Sequence, residues 1–154
     1  MNTIPLETAS EVNLEKYAGK WYDILHTPAT FLHGCEDITA EYTLTGKNYV
    51  EVFNRCIKNK EKEKSIRGKA YIVKGSNNAK LKVQFFWPFR ADYWILDIDE
   101  DYQYAVIGGP SRSYAWILSR TPTPDESEIE VRMELLKKNG FNTAIMERTL
   151  HHGK

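Results

Sequence analysis

Gly19-Lys20-Trp21-Tyr22-Asp23-Ile24 is the stretch in which a polar, helix-like lead-in becomes the first of eight strand-like runs. Asn13 is a fitting N-cap for a short turn of helix over 14–17. Gly19 then ends that turn by taking a backbone conformation that a β-carbon resists. The stretch reads as the floor of a barrel, and its distant partner is Arg120, at the end of the last strand-like run.

Seven more runs follow, over 37–44, 49–57, 65–73, 80–86, 92–98, 104–107 and 114–119. Turn residues such as Thr45-Gly46-Lys47-Asn48 and Gly75-Ser76-Asn77-Asn78 separate them. Short strands at this spacing predict an antiparallel meander. Eight strands in up-and-down order close into a barrel with room for one small ligand. After Arg120, Thr123-Pro124-Asp125-Glu126 reads as a capping box with proline at the first helical position. Ile129, Met133 and Leu136 fall at helical spacing and Asn139-Gly140 stops the helix. The fold class expected is all-β: an eight-stranded antiparallel up-and-down β-barrel with one C-terminal α-helix packed outside. A single domain over 1–154 accommodates this, with the barrel at about 20–120, the helix at 124–139 and a C-terminal strand and loose tail at 141–154.

The 21 basic and 21 acidic side chains of the 154-residue chain cancel, which removes any broad field for nucleic acid. Four Trp, nine Tyr and six Phe, within 42% hydrophobic residues, exclude disorder. No apolar run approaches the roughly 20 residues of a spanning helix. Met1 to Ser10 lacks the basic and apolar segments of a signal peptide, a start that suits a cytosolic protein or one whose export signal was trimmed.

Three separated blocks resemble those of the lipocalin family, closest to the bacterial outer-membrane lipocalin group that is also similar to plant temperature-induced lipocalins and apolipoprotein D. Gly19-Lys20-Trp21-Tyr22 matches the first motif. Asp101-Tyr102-Gln103-Tyr104 resembles the second, with Glu100 in place of the usual threonine, and Leu118-Ser119-Arg120-Thr121-Pro122 matches the third. The resemblance implies that Trp21 packs across the closed end beneath Arg120, with Gly19 beside them, as structure rather than ligand contact. It implies a carrier, not an enzyme, that takes a fatty acid or lysophospholipid in cell-envelope lipid maintenance. Outer membrane or periplasm is the implied location, with cytoplasm as the alternative. Bacterial relatives are anchored through an upstream lipidated cysteine, and no cysteine precedes Cys35 here.

Alternation across each strand, counted from Trp21 and the family's register, assigns the inward set. It comprises Asp23 and Leu25; Ile38, Ala40 and Tyr42; Val50, Val52 and Asn54; Ile66, Gly68 and Ala70; Leu81, Val83 and Phe85; Tyr93 and Ile95; Ala105 and Ile107; and Tyr114, Trp116 and Leu118. The candidate ligand-binding residues are Ala40, Tyr42, Val52, Asn54, Gly68, Ala70, Val83, Phe85, Tyr93, Ile95, Ile107, Tyr114 and Trp116. Small residues such as Gly68 and Ala70 suit a hollow barrel, a filled one being the alternative. Tyr42, Asn54, Tyr93 and Tyr114 offer polar handles for a carboxylate, ester or hydroxyl, or else satisfy the protein's own backbone.

The rim is expected at 27–36, 58–64, 87–91 and 108–113, with Phe31, Trp87, Phe89, Arg90, Arg112 and Lys58 as its candidate residues. Its aromatic loop suits a lid, a membrane surface or a homodimer contact, and its lysines suit either plain solvation or anionic headgroups. A hairpin turning near Gly46 brings Cys35 close to Cys56. A disulfide there requires Cys35 to leave the regular pleat and favours an oxidising compartment; two free thiols weaken that reading. A free cavity cysteine is the basis of the alternative enzyme reading, an isomerase, but Cys56 has no His or inward basic neighbour on its strand to lower its pKa. The His151-His152 pair reads as solvated tail, haem ligation through His26 or His33 is the weaker option, and no metal or cofactor is expected.

Overall fold

The computed structural model describes residues 5–86 and 88–152. A short helix α1 (Leu14–Tyr17) is capped by Asn13, whose side chain accepts the Lys16 N–H at 3.2 Å. Gly19, at φ +100°, then starts strand β1 (Gly19–His26). Seven strands follow in a meander: β2 (Cys35–Leu44), β3 (Tyr49–Lys58), β4 (Lys62–Ile72), β5 (Lys80–Phe86), β6 (Phe89–Ile98), β7 (Tyr104–Gly108) and β8 (Ala115–Ser119). Every neighbouring pair is antiparallel, and β1 bonds both β8 and β2, so the sheet closes on itself. Closure is what removes the exposed edges of a meander.

The hairpin between β3 and β4 differs from the charged loop expected over 58–64. Asn59 (φ 53°) and Lys60 (φ 66°) both adopt left-handed backbone, the requirement of a tight primed turn, so the two strands run on as far as the Lys58–Lys62 pair.

Trp21, Tyr42, Val50, Val52, Ala70, Leu81, Ile95, Ala105, Ile107 and Leu118 form the core inside the barrel. A second core lies outside, where helix α2 (Glu126–Lys138) covers the wall with Ile129 and Leu136 against Ile24, Leu96, Val106 and Ile117. The helix begins later than its sequence suggests. Asp125 is the cap, accepting from Ser127 N–H at 3.0 Å, because its side chain reaches that donor and Thr123 lies outside the helix. Gly140 (φ 88°) ends α2, with the Phe141 N–H returning to the Leu136 carbonyl at 3.1 Å.

Two further departures concern the seam between β1 and β2. A bulge between Asp23 and Leu25 shifts the register against β8, and Leu25 joins the outer core rather than the inward row. Beyond Tyr22↔Thr39 the two strands part, and the C-terminal stretch enters the gap. Strand β9 (Glu147–Arg148) pairs with β1, the Thr149 N–H bonds the Ile24 carbonyl at 3.0 Å, and the Asp37 N–H bonds the Leu150 carbonyl at 2.9 Å. His151 is consequently no loose tail: its Nε2 lies 2.7 Å from the Asp23 carbonyl and its ring packs edge-on to Tyr22.

Candidate functional site

The three sequence blocks meet at the closed end. The Arg120 guanidinium covers the Trp21 ring at 3.8 Å and donates to the carbonyls of Lys16, Tyr17, Ala18, Lys20 and Tyr102. The Trp21 indole N–H donates to the Tyr17 carbonyl at 2.8 Å, and Trp21 is fully buried. A β-carbon on Gly19 would lie 3.4 Å from the Arg120 guanidinium, on a backbone that side chains rarely adopt. This end is a plug that admits nothing.

Above the plug the inner row changes character. Tyr42, Val52, Ala70, Ile95 and Ile107 are buried, whereas Ala40, Val83, Phe85, Tyr93 and Trp116 pack against them yet remain half-exposed. Asn54, Ile66 and Gly68, on the same face by register, are half-exposed too. These residues share the inward face on the side away from Trp21. Gly68 serves that face indirectly. The Phe85 ring occupies the space where a Gly68 β-carbon would stand, at 2.6 Å.

Three phenols meet inside the barrel, above the plug. The Tyr93 hydroxyl lies 2.5 Å from that of Tyr17 and 2.7 Å from that of Tyr42. Burial is the main cause of the raised pKa of all three, up to about 12 for Tyr42 and well above the ordinary value for Tyr17 and Tyr93. They are neutral at physiological pH and act as hydrogen-bond donors or acceptors, not as charges. Tyr17 is absent from the inward set read from the sequence, because it enters the barrel from α1 and not from a strand; no alternation rule reaches it.

Tyr114 stands just before β8 and its hydroxyl donates to the Asp92 carbonyl, while its ring meets that of Trp116 edge-on at 5.5 Å. At the rim, Phe31 lies on a short 3₁₀ turn (Thr30–Leu32) and Phe89 opens β6; with Phe86 they are 68–75% exposed. Trp87 lies outside the described residues. Arg90 runs along the outer wall, stacking 4.0 Å over Tyr71 and donating to Gln84 at 3.0 Å. Arg112 ties its loop to the end of α2 through the Asn139 carbonyl at 2.6 Å. Lys58 is half-buried at the β3 end of the hairpin.

Cys35 and Cys56 are joined in a disulfide, their Cα atoms 5.6 Å apart. The register slip between Glu36 and Thr39, with Asp37 at φ 52°, is the departure from the pleat that lets Cys35 reach its partner. Neither sulfur is a free thiol, so the isomerase alternative lacks its nucleophile. A buried polar node also lies in the wall: His26 Nδ1 is 3.2 Å from both the Asp23 carboxylate and the Thr149 hydroxyl, which are 3.2 Å from each other. Sequence reading left this node out because Thr149 arrives only through the inserted C-terminal stretch.

A closed eight-stranded antiparallel meander with a plugged floor and one outer helix defines an up-and-down β-barrel. The chain belongs to the lipocalin family: the lipocalin-like domain matches residues 12–151. It is 38% identical over 140 residues to the outer membrane lipoprotein Blc of Vibrio cholerae, covering 90% of this chain and 82% of that protein. It is also 38% identical over 153 residues to temperature-induced lipocalin-1 of Arabidopsis thaliana, covering 94% and 82%. Lobster apocrustacyanin A1 shares the fold with a TM-score of 0.73 at 16% identity, over 97% of this chain and 92% of that one. Members of the family are in general carriers of small hydrophobic ligands.

Proposed function

We propose that this chain is a carrier or store for a single-chain lipid, a fatty acid or lysophospholipid, in cell-envelope lipid maintenance. The observation that carries the reading is the half-exposed inner row, Ala40, Asn54, Gly68, Val83, Phe85, Tyr93 and Trp116, within a sheet closed all round. A hydrocarbon chain fits such a surface. Each buried methylene contributes about 0.8 kcal/mol, so ten give on the order of 8 kcal/mol before ordering costs are subtracted. Tyr42, Asn54 and Tyr93 are the polar groups within reach of an ester, hydroxyl or carboxyl. The similarity to an outer membrane lipoprotein and the disulfide support an envelope location.

Native mass spectrometry of the purified protein, followed by lipid extraction, tests the reading. A co-purifying single-chain lipid is expected; a protein that stays empty after incubation with such lipids overturns it. A second reading, an interaction module with a filled barrel, rests on the exposed Phe31, Phe86 and Phe89, which suit a protein partner or a second copy of the chain. In that reading the same experiment returns an empty dimer.

A further inference from the structure

Helix α2 covers only part of the barrel wall. Its Ile129 and Leu136 lie over residues of β1 and of β6 to β8, and among the described residues no helix packs on the outer faces of β3, β4 and β5. Those bare faces carry aromatic rings under cations. Tyr49, Phe53 and Tyr71 stand there half-exposed, with Lys69 at 4.8 Å from the Tyr49 ring, Arg67 at 4.0 Å from Phe53 and Arg90 at 4.0 Å from Tyr71. The other cations of this face have carboxylates: Arg55 pairs with Glu63 and Lys82 with Asp92. Arg67 and Lys69 make no ion pair among the described residues, and Glu51, opposite Lys69, does not close one. A guanidinium stacked on a ring keeps its N–H edge free for a carboxylate, already held in one orientation.

The opposite pole of the molecule lies on α2. Glu130 and Glu134 point outward one turn apart, exposed and without an ion pair among the described residues, and Val131 beside them is 62% exposed. Like charges at this spacing cost a helix stability, as neighbouring cations cost the strand. Each pair is the relief of the other. Four residues of helix rise about 6 Å, and alternate residues of a strand are about 6.7 Å apart, so Glu130 and Glu134 match Arg67 and Lys69 in spacing as well as in charge. With 21 basic and 21 acidic side chains in the chain, no net charge opposes the approach of a second copy.

We infer that the outer wall of β3 to β5 is a docking surface for α2 of a second copy of this chain, with Glu130 and Glu134 set on Arg67 and Lys69. It is separate from the aromatic rim and independent of the carrier reading. One helix laid on three strands is a small, charged contact, so the association is weak and sensitive to salt.

Sedimentation equilibrium over a range of protein concentrations tests it. The average mass should rise above the monomer at low salt and return to it at high salt. R67E/K69E and E130K/E134K should each weaken association by about tenfold or more, and an equimolar mixture of the two should restore it, because wall and helix are then complementary again with the signs exchanged. All four positions are exposed, so both variants should keep the melting temperature. If a reversal lowers it, R67Q/K69Q and E130Q/E134Q give the same reading without new charge. A monomer at low salt, association that either variant leaves unchanged, or a mixture that stays monomeric overturns the surface. Association lost instead in F31S/F86S/F89S places the contact at the rim and also overturns it.

Discussion

Arg120 stacks on Trp21 from 3.8 Å while its nitrogens gather the carbonyls of Lys16, Tyr17, Ala18 and Lys20, just ahead of that residue in the chain. One side chain therefore closes the barrel floor and caps the end of α1, and it does so from a strand 100 residues further along the chain. Arg120→Ala should cost about 2–4 kcal/mol, from the lost cation–π contact and several unmade hydrogen bonds. Lipid affinity should change little, because Trp21 shields the guanidinium from the barrel interior. Thermal melts and a lipid titration on the same preparation check both halves.

The disulfide closes a separation of 21 residues at the rim end of β2 and β3. Constraining the unfolded chain over a loop of that size contributes about 3 kcal/mol. Reduction and alkylation should lower the melting temperature by roughly 5–10 °C while lipid binding persists below the transition. An unchanged melting temperature would contradict the constraint.

Tyr93 carries the hydroxyl shared by Tyr17 and Tyr42. Tyr93→Phe breaks both hydrogen bonds and leaves two buried phenols without that partner, a loss of about 1–3 kcal/mol. Tyr114→Phe is expected to cost less, about 1 kcal/mol, since one bond to the Asp92 carbonyl is lost from a half-buried residue. Urea denaturation of the two variants ranks them.

His26 and Asp23 make stability depend on pH in one direction. Burial pulls the His26 pKa down, but the Asp23 hydrogen bond and the charges of Asp23 and Glu147 outweigh it and raise the net value. Burial raises Asp23, and its bonds to His26 and Thr149 only partly oppose that. A raised folded value means that the native state holds the proton more tightly. The His26 contribution is complete below the ordinary histidine value of about 6.5 and is lost as pH rises through the folded value above it. Melting temperature should fall as pH rises above about 6.5, and His26→Gln should flatten that dependence. A rise over the same interval refutes the assignment.

Much of this architecture is legible in the sequence because closed meanders are built from local signals. Period-two alternation from Trp21 places Val52, Ala70, Ile95 and Ile107 inside, and the strands between turn residues are found within a few positions. The same rule fails wherever the backbone leaves its period. Leu25 turns outward at a bulge with no glycine or proline to announce it. Asn59 and Lys60 form a tight turn inside a run of charges that reads as solvated loop. Tyr17, Thr149 and His151 reach the barrel from outside the meander, so their places follow from tertiary contacts and not from spacing. At the rim, charge type alone does not separate Arg90 and Arg112, which bond to the protein's own groups, from the lysines of the hairpin.

The wedge of residues 147–150 between β1 and β2 has a consequence for biosynthesis. Asp23 meets Thr149 across 126 residues, so the flank of β1 is covered only once residues 147–150 have been made. Contacts of such long range are slow to form and give a nascent fragment little to hold on to. Until residues 147–150 are in place, the seam between β1 and β2 lacks the strand and backbone bonds that cover it.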